Sequence, residues 1–307
     1  MINSIPYNYH THTTFCDGTA SLEEMVQSAI RNGLCTIGFS GHSYTAYDKS
    51  YCMSLENTKK YWHEIQFLKK KYADQIEILC GIEQDFGSDE PTDDYDYVIG
   101  SVHAVFPFCQ HNADAAPASG QLDYFHGYDR SHYDYIDWDL DCILKAVKEQ
   151  YNGDAYAFID HYYQTVAQLP AVTGCHIIGH FDLITKFNEK TPWFDEKDTR
   201  YRQSVCSALD QIFRDFPHSA AAEKSGTFPI FEINTGAISR GWRSVPYPSA
   251  DILKEIQRRG GKVMINSDSH AVDTLTYAFD QAVQLARSCG FTSVSIITAD
   301  SFREIPL

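Results

Sequence analysis

The chain has 307 residues, with 25 Lys and Arg against 41 Asp and Glu, and so a formal net charge of −16 with histidine neutral. That balance excludes a generic binder of nucleic acid or of anionic membranes, because no broad basic surface is left to neutralise phosphates. With 43% hydrophobic and 21% charged residues, the chain can build a large core and carries too little charge for a disordered polyelectrolyte.

The first ten residues lack a basic segment followed by an apolar one, and no run approaches the ~18 apolar residues of a membrane span. A soluble, cytoplasmic protein is the expectation. Nine cysteines, an odd number without a C-x-x-C pair, read as reduced thiols acting as small hydrophobes. One α/β barrel can absorb ~250 residues, so residues 1–307 are expected to form one elaborated domain.

Ser21-Leu22-Glu23-Glu24 is a capping box, and Met25, Ala29 and Ile30 follow at helical spacing until Asn32-Gly33 closes the helix. A strand at 36–39 comes next, then a helix over 55–71 and strands at 76–80 and 97–100. Residues 106–137 are rich in Asp, His, Tyr and Gly, and read as a long insertion; loops of that length are usually functional. Helices are predicted at 138–150, 154–168, 199–215, 249–259 and 273–288, separating strands at 176–178, 229–233, 262–265 and 294–297. Gly260-Gly261 and Gly290 stand where helix C-terminal caps are wanted. Strands alternating with amphipathic helices imply βα units and a parallel sheet or barrel.

Nearly every strand candidate runs at once into His, Asp or Glu: His10-Thr11-His12, His42, Glu83, His103, His180 with Asp182, and Asp268 with His270. In a parallel barrel these would converge on the C-terminal rim. A single histidine after a strand is more often a packing or capping residue. Six strands delivering metal-ligand types to one place is a different pattern, and His and carboxylate together suit Zn, Mn or Fe. His10 and His12, at i and i+2, point to one face of a strand.

The segments Y-H-T-H-T, F-C-D-G-T, S-G-H-S, C-G-I-E, G-S-V-H, I-D-W-D, G-H-F-D, F-E-I-N-T-G and N-S-D-S-H run in the order seen in the polymerase and histidinol phosphatase (PHP) family. The chain most resembles that family's monofunctional histidinol-phosphate phosphatases, from residue 8 to about 270. The resemblance implies a distorted (β/α)7 barrel and two to three divalent ions. On that resemblance His10, His12, Glu83 and Asp268 would bind one ion, and a bridging Glu83 with His103 and His180 a second. Asp17, His42 and His270 would bind a third. Glu83, Asp268 and His270 would thus serve catalysis directly. The chain departs from the family in spending over thirty residues between the V-H and D-W-D segments, which leaves the substrate's identity open.

A phosphomonoester dianion repels nucleophiles, and metal ions remedy this by neutralising charge and acidifying water. A cationic side chain should complete the phosphate cradle. Family analogy favours Arg240 and Lys186, with Arg243 next. Three divalent ions would bring the net charge to about −10, with the gain concentrated in the cleft. No G-x-S-x-G or Walker loop occurs, which disfavours acyl transfer and P-loop nucleotide hydrolysis. The expected reaction is hydrolysis of a small phosphate ester, L-histidinol phosphate on the resemblance. Another small ester, such as a nucleotide or sugar phosphate, and a non-enzymatic metal-binding module stand as alternatives. His111, His126 and His132 are expected to be loop or pocket residues, and His63, His161, His176 and His218 surface or structural ones. The acidic and aromatic residues of 106–137, including Asp114, Asp123, Asp129, Asp134 and Asp137 with Tyr124, Phe125, Tyr128, Tyr133 and Tyr135, are expected to form a lid over the cationic end of the substrate.

Overall fold

The alternation of apolar runs and amphipathic helices folds into a parallel barrel in the computed structural model, which describes residues 5–107, 132–226, 228–298 and 301–307. Along the chain the strands are β1 (Tyr7–Asn8), β2 (Thr36–Phe39), β3 (Glu77–Asp85), β4 (Tyr97–Ser101), β5 (Ala104–Val105), β6 (Asp134–Tyr135), β7 (Ile177–Ile178), β8 (Ile230–Asn234), β9 (Lys262–Asn266), β10 (Ser293–Thr298) and β11 (Ser301–Pro306). The helices are α1 (Leu22–Arg31), α2 (Leu55–Lys71), α3 (Leu140–Gln150), α4 (Ala155–Val166), α5 (Leu169–Thr173), α6 (Thr199–Asp215), α7 (Ala220–Ser225), α8 (Gly236–Ser239), α9 (Ala250–Arg258) and α10 (Phe279–Ser288).

Seven strands pair in the order β1-β2-β3-β4-β7-β8-β9, each parallel to its neighbours. The seam between β1 and β9 is closed by the parallel bridge Thr11↔Ser269, with His12 N donating to Ser269 O at 2.8 Å and Ser269 N to His10 O at 3.2 Å. This is the (β/α)7 barrel expected from the sequence. Its strands are buried along both faces, as a sheet walled by helices requires. Tyr97 fills the interior and donates to the carbonyls of Tyr9 and Phe39. A Cβ on Gly81 would lie 2.2 Å from that ring, so only glycine fits there.

Helix boundaries follow local chemistry. Ser21 and Glu24 form the capping box of α1, and Ser54 and Asp139 accept from the third residue of α2 and α3. The helix expected at 154–168 is α4, and the separate short α5 follows it with Pro170 in its first turn, where a missing N–H costs nothing. The helix expected from 273 begins only at Phe279, after Ala278 takes a left-handed conformation at φ 57°. The strand expected at 76–80 runs on to Asp85, so Glu83 lies within β3 and not beyond it. The strand near 294–297 is no barrel strand: β10 pairs antiparallel with β11 and packs against β9. Among the described residues no helix is long and apolar enough to cross a membrane.

Candidate metal centre

The seam between β1 and β9 aligns the first group of polar side chains. His10 and His12 leave β1 on one face, while Thr11 between them turns away and donates to Gly38 O at 2.9 Å. Across the seam Asp268 adopts φ 50°, a left-handed conformation that Asp tolerates better than most side chains, and His270 follows. His42 forms a parallel bridge with Glu83 just past β2. His103 follows β4 and His180 follows β7.

These side chains meet around Glu83, which is 1% exposed. Its Oε2 lies 3.3 Å from His10 Nε2, 3.4 Å from His12 Nε2 and 2.9 Å from His42 Nδ1. Its Oε1 lies 3.0 Å from His180 Nε2 and 3.5 Å from His103 Nε2. Asp268 Oδ1 stands 3.2 Å from His12 Nε2 and 3.7 Å from His10 Nε2. Asp17 reaches His42 Nε2 at 3.6 Å and His270 Nε2 at 3.2 Å. All nine residues expected as ligands are therefore in one cluster, and each oxygen of Glu83 faces its own set of imidazoles. His12, His42 and Glu83 are each shared between neighbouring groups, since donor atoms lie within 4.8 Å of one another in His12, Asp17, His42 and His270, in His10, His12 and Glu83, and in His42, Glu83 and His103.

Within this cluster His10 Nε2, His12 Nε2, His42 Nδ1 and Glu83 Oε2 are buried without a hydrogen-bond partner. An unsatisfied buried polar atom costs about 1–3 kcal/mol, so four converging on one spot call for a cation. Nitrogen and carboxylate donors of this kind are those of a divalent-metal centre. The local field is correspondingly strong. Burial acts against the charge of Glu83, yet His42, His10 and His103 outweigh it and hold the carboxyl well below its usual range. Burial, with His270 and His42 close by, pushes His12 down to about 3, which leaves its imidazole neutral.

A second layer of side chains orients the first. His10 Nδ1 lies 2.6 Å from Glu232 Oε1, and Glu232 is itself held by Asn234 Nδ2 at 2.8 Å, Asn266 Nδ2 at 3.1 Å and His180 N at 3.1 Å. Ser101 Oγ donates to Glu83 Oε1 at 2.6 Å, and His103 Nδ1 lies 3.0 Å from Asp85 Oδ2. Such partners fix which imidazole nitrogen is free for a metal. Sequence reasoning missed Glu232 and Asp85. The signal was present: Glu83 with Asp85, and Glu232 with Asn234, repeat on strands the i, i+2 spacing of His10 and His12.

The cluster floors a cleft of about 290 Å³, whose walls include Tyr51, Tyr135, Asp137, Trp138, Trp242 and Tyr247. Arg240 and Lys186 both line it. Arg240 donates to Asp268 Oδ2 and Asp268 O, both at 2.9 Å, so it also braces a candidate ligand. Lys186 Nζ donates to Asp137 O at 2.6 Å and lies 3.3 Å from Asp137 Oδ2. Arg243 does not line this cleft, contrary to expectation. It is buried, bonded to Thr185 Oγ1 and set over the Tyr247 ring, because the chain turns back after Gly241 at φ 70°. Asp182 is fully buried and accepts from Ser249 N at 3.0 Å, and burial pushes its carboxyl up to about 6.

Of the other histidines, His63, His132 and His218 are exposed and His161 and His176 buried away from the cleft. The insertion is closed at its base by β5 pairing with β6. Tyr133, Asp134, Tyr135 and Asp137 lie on its described flank. Cys109, His111, His126, Asp114, Asp123, Asp129, Tyr124, Phe125 and Tyr128 lie outside the described residues, and with them most of the expected lid. The other eight cysteines are free thiols.

The PHP domain model matches residues 8–221. A probable histidinol-phosphatase of Schizosaccharomyces pombe is 27% identical over 95% of this chain and 90% of its own length. The histidinol-phosphatase of Bacillus subtilis is 26% identical over 88% of this chain and 96% of its own. The crystal structure of histidinol phosphate phosphatase from Lactococcus lactis, complexed with zinc, L-histidinol and phosphate, superposes with a TM-score of 0.61 at 19% identity, covering 97% of this chain and 98% of that one, a likeness of fold. With its barrel, its rim of histidines and carboxylates and a family match over most of its length, the chain belongs to the PHP family.

Proposed function

We propose that this protein is a metal-dependent phosphomonoesterase that hydrolyses L-histidinol phosphate to L-histidinol and phosphate. The observation that carries the reading is the group of four unpartnered buried donor atoms beneath a cleft that also presents Arg240 and Lys186. Two relatives matched over nearly their whole length bear the name histidinol-phosphatase. The related L. lactis enzyme was crystallised with zinc and both products of that reaction.

His10, His12, Glu83 and Asp268 would hold one ion, Glu83, His103 and His180 a second, and Asp17, His42 and His270 a third, with zinc, manganese and iron all suited to the donors. Bound divalent ions would neutralise the phosphate and acidify a water molecule so that it attacks phosphorus near neutral pH. The remaining work falls to the chain. Arg240 and Lys186 face the phosphate oxygens, and their charge grows more effective as substrate displaces water from the cleft. Asp137 and the rings of Tyr51, Trp138 and Trp242 offer a carboxylate and aromatic faces to the ammonium and imidazole of the substrate. Hydrolysis breaks the P–O bond to the alcohol, which leaves with one proton of the water.

The test is phosphate release from purified, metal-analysed protein across histidinol phosphate, nucleotides, sugar phosphates and p-nitrophenyl phosphate. Histidinol phosphate should give the highest kcat/KM by at least tenfold. A preference for nucleotides or sugar phosphates would replace the substrate, and metal-loaded protein inert on every ester would reject the enzyme.

A further inference from the structure

Behind His103 lies a hydrogen-bond chain that leaves the metal centre and returns to it. Asp85 is 1% exposed, and its carboxylate accepts from four donors. His103 Nδ1 and His103 N reach Oδ2 at 3.0 and 3.4 Å, while Gly87 N and Tyr47 OH reach Oδ1 at 2.7 and 2.9 Å. A carboxylate offers only acceptors, so the proton between Asp85 and His103 sits on Nδ1, and Nε2 keeps its lone pair toward Glu83. Tyr47 has one hydroxyl proton and gives it to Asp85. The 2.7 Å contact between Tyr47 OH and Tyr51 OH therefore has Tyr51 as donor. The ring of Tyr51 then stands edge-on to His42, with centroids 5.0 Å apart, and 5.9 Å from that of His103, while lining the cleft.

Tyr47 does not reach the cleft. Its ring packs on Phe106 at 5.1 Å and on Tyr133 at 4.9 Å, residues that border the paired strands β5 and β6. The ring is thus held by packing, and its hydroxyl is committed to Asp85.

We propose that Tyr47 and Tyr51 are positioning residues of the metal centre: through Asp85 the hydroxyl chain sets the tautomer and orientation of His103, and the Tyr51 ring packs edge-on against His42 and His103, whose own rings meet 5.2 Å apart. The inference rests on the proposed metal centre but not on the substrate. Losing an outer partner of a metal-bound imidazole typically costs about 10–100-fold in affinity. Tyr47→Phe deletes one oxygen and keeps the packed ring. Asp85→Asn places an amide opposite Nδ1, where its N–H can impose the opposite tautomer.

The experiment titrates metal-free wild type, Tyr47→Phe and Asp85→Asn with zinc and with manganese against a chromophoric chelator, and records the visible spectrum of the cobalt-loaded proteins. Tyr47→Phe should weaken one bound ion about 10-fold and leave the others in place, with a shifted cobalt spectrum. Asp85→Asn should weaken the same ion further. Wild-type affinities and an unchanged spectrum in Tyr47→Phe would overturn the inference, as would a lowered melting temperature with no change in affinity. Since no substrate enters, weakened binding supports the inference even if histidinol phosphate proves not to be the substrate.

Discussion

The two ends of the barrel treat buried polar groups in opposite ways. At the C-terminal rim, His10, His12, His42 and Glu83 each leave an atom without a partner, and carboxylates crowd against imidazoles. At the other end, Tyr9 OH donates to Ile297 O and accepts from Ile297 N, both at 3.1 Å, tying the β10–β11 hairpin to the barrel. His176 Nδ1 accepts from Val98 N at 3.1 Å, and its ring stacks on Phe302. Both ends bury polar side chains. At the rim four unsatisfied atoms converge on one spot, and such a cluster marks a place where stability is given up for a ligand.

The sharpest way to break this contrast is Glu83→Ala. It removes the carboxylate that both sets of imidazoles share, so bound metal and turnover should fall together to background in elemental analysis and phosphate release. Full metal content with normal activity would end the assignment. Arg240→Ala should follow, lowering kcat/KM on the order of 10²-fold, as loss of a charge-assisted contact in a dry site does. Because Arg240 also grips Asp268, a partial drop in metal content should accompany it. Lys186→Ala, whose ammonium is already paired with Asp137, should cost less, about tenfold, with metal content unchanged.

At the base the expected effects are on stability alone. Tyr9→Phe strands the N–H and C=O of Ile297 and should cost about 1–3 kcal/mol in denaturant unfolding, with metal content unchanged. Metal loss in that variant would show that the two ends are not independent. The smallest effect is a pH dependence. Burial, with the charge of Lys224 adding to it, pushes His176 down to about 4. Its unfolded value is about 6.5, so between these values the unfolded chain binds the extra proton. The stability contributed by neutral His176 is therefore complete above about pH 6.5 and lost as pH falls toward 4. His161, also pushed down to about 4 by burial, acts in the same direction. Asp182, raised to about 6 by burial, acts oppositely, its contribution being lost as pH rises through 6. In His176→Asn the side-chain oxygen can still accept from Val98 N without titrating. Its loss of stability from pH 7 to pH 5 should be smaller than wild type's by about 1–2 kcal/mol, and an identical loss would remove His176 from the acid limb.

Much of this was legible in the chain because it depends on short-range rules. The period of the apolar residues marked α2 at 55–71 and α6 at 199–215 to the residue, and a Ser-x-x-Glu box began α1. Eight of the nine candidate ligands stood out because a parallel barrel sends the C-terminal ends of its strands to one rim, so residues far apart in sequence can meet there, whereas Asp17, which follows no strand, came from the family resemblance alone. Where such rules were silent, the reading fell short. Nothing local distinguishes β10 from a barrel strand, and its antiparallel partner β11 has no alternating apolar pattern. Nothing local turns Arg243 toward Thr185 and Tyr247 while Arg240, three residues before it, stays in the cleft.

Composition, helical and strand periods and the recurrence of His and carboxylate after strands determined the class of fold, the rim that carries the chemistry and the kind of ion that suits it. Tertiary structure alone decided which atoms are left without partners, how Glu83 divides its two oxygens, and that Asp85 and Glu232 stand behind the imidazoles. The reason is physical. Periodicity records which face of an element is buried, whereas hydrogen bonds between elements depend on register and on side-chain direction across strands distant in sequence.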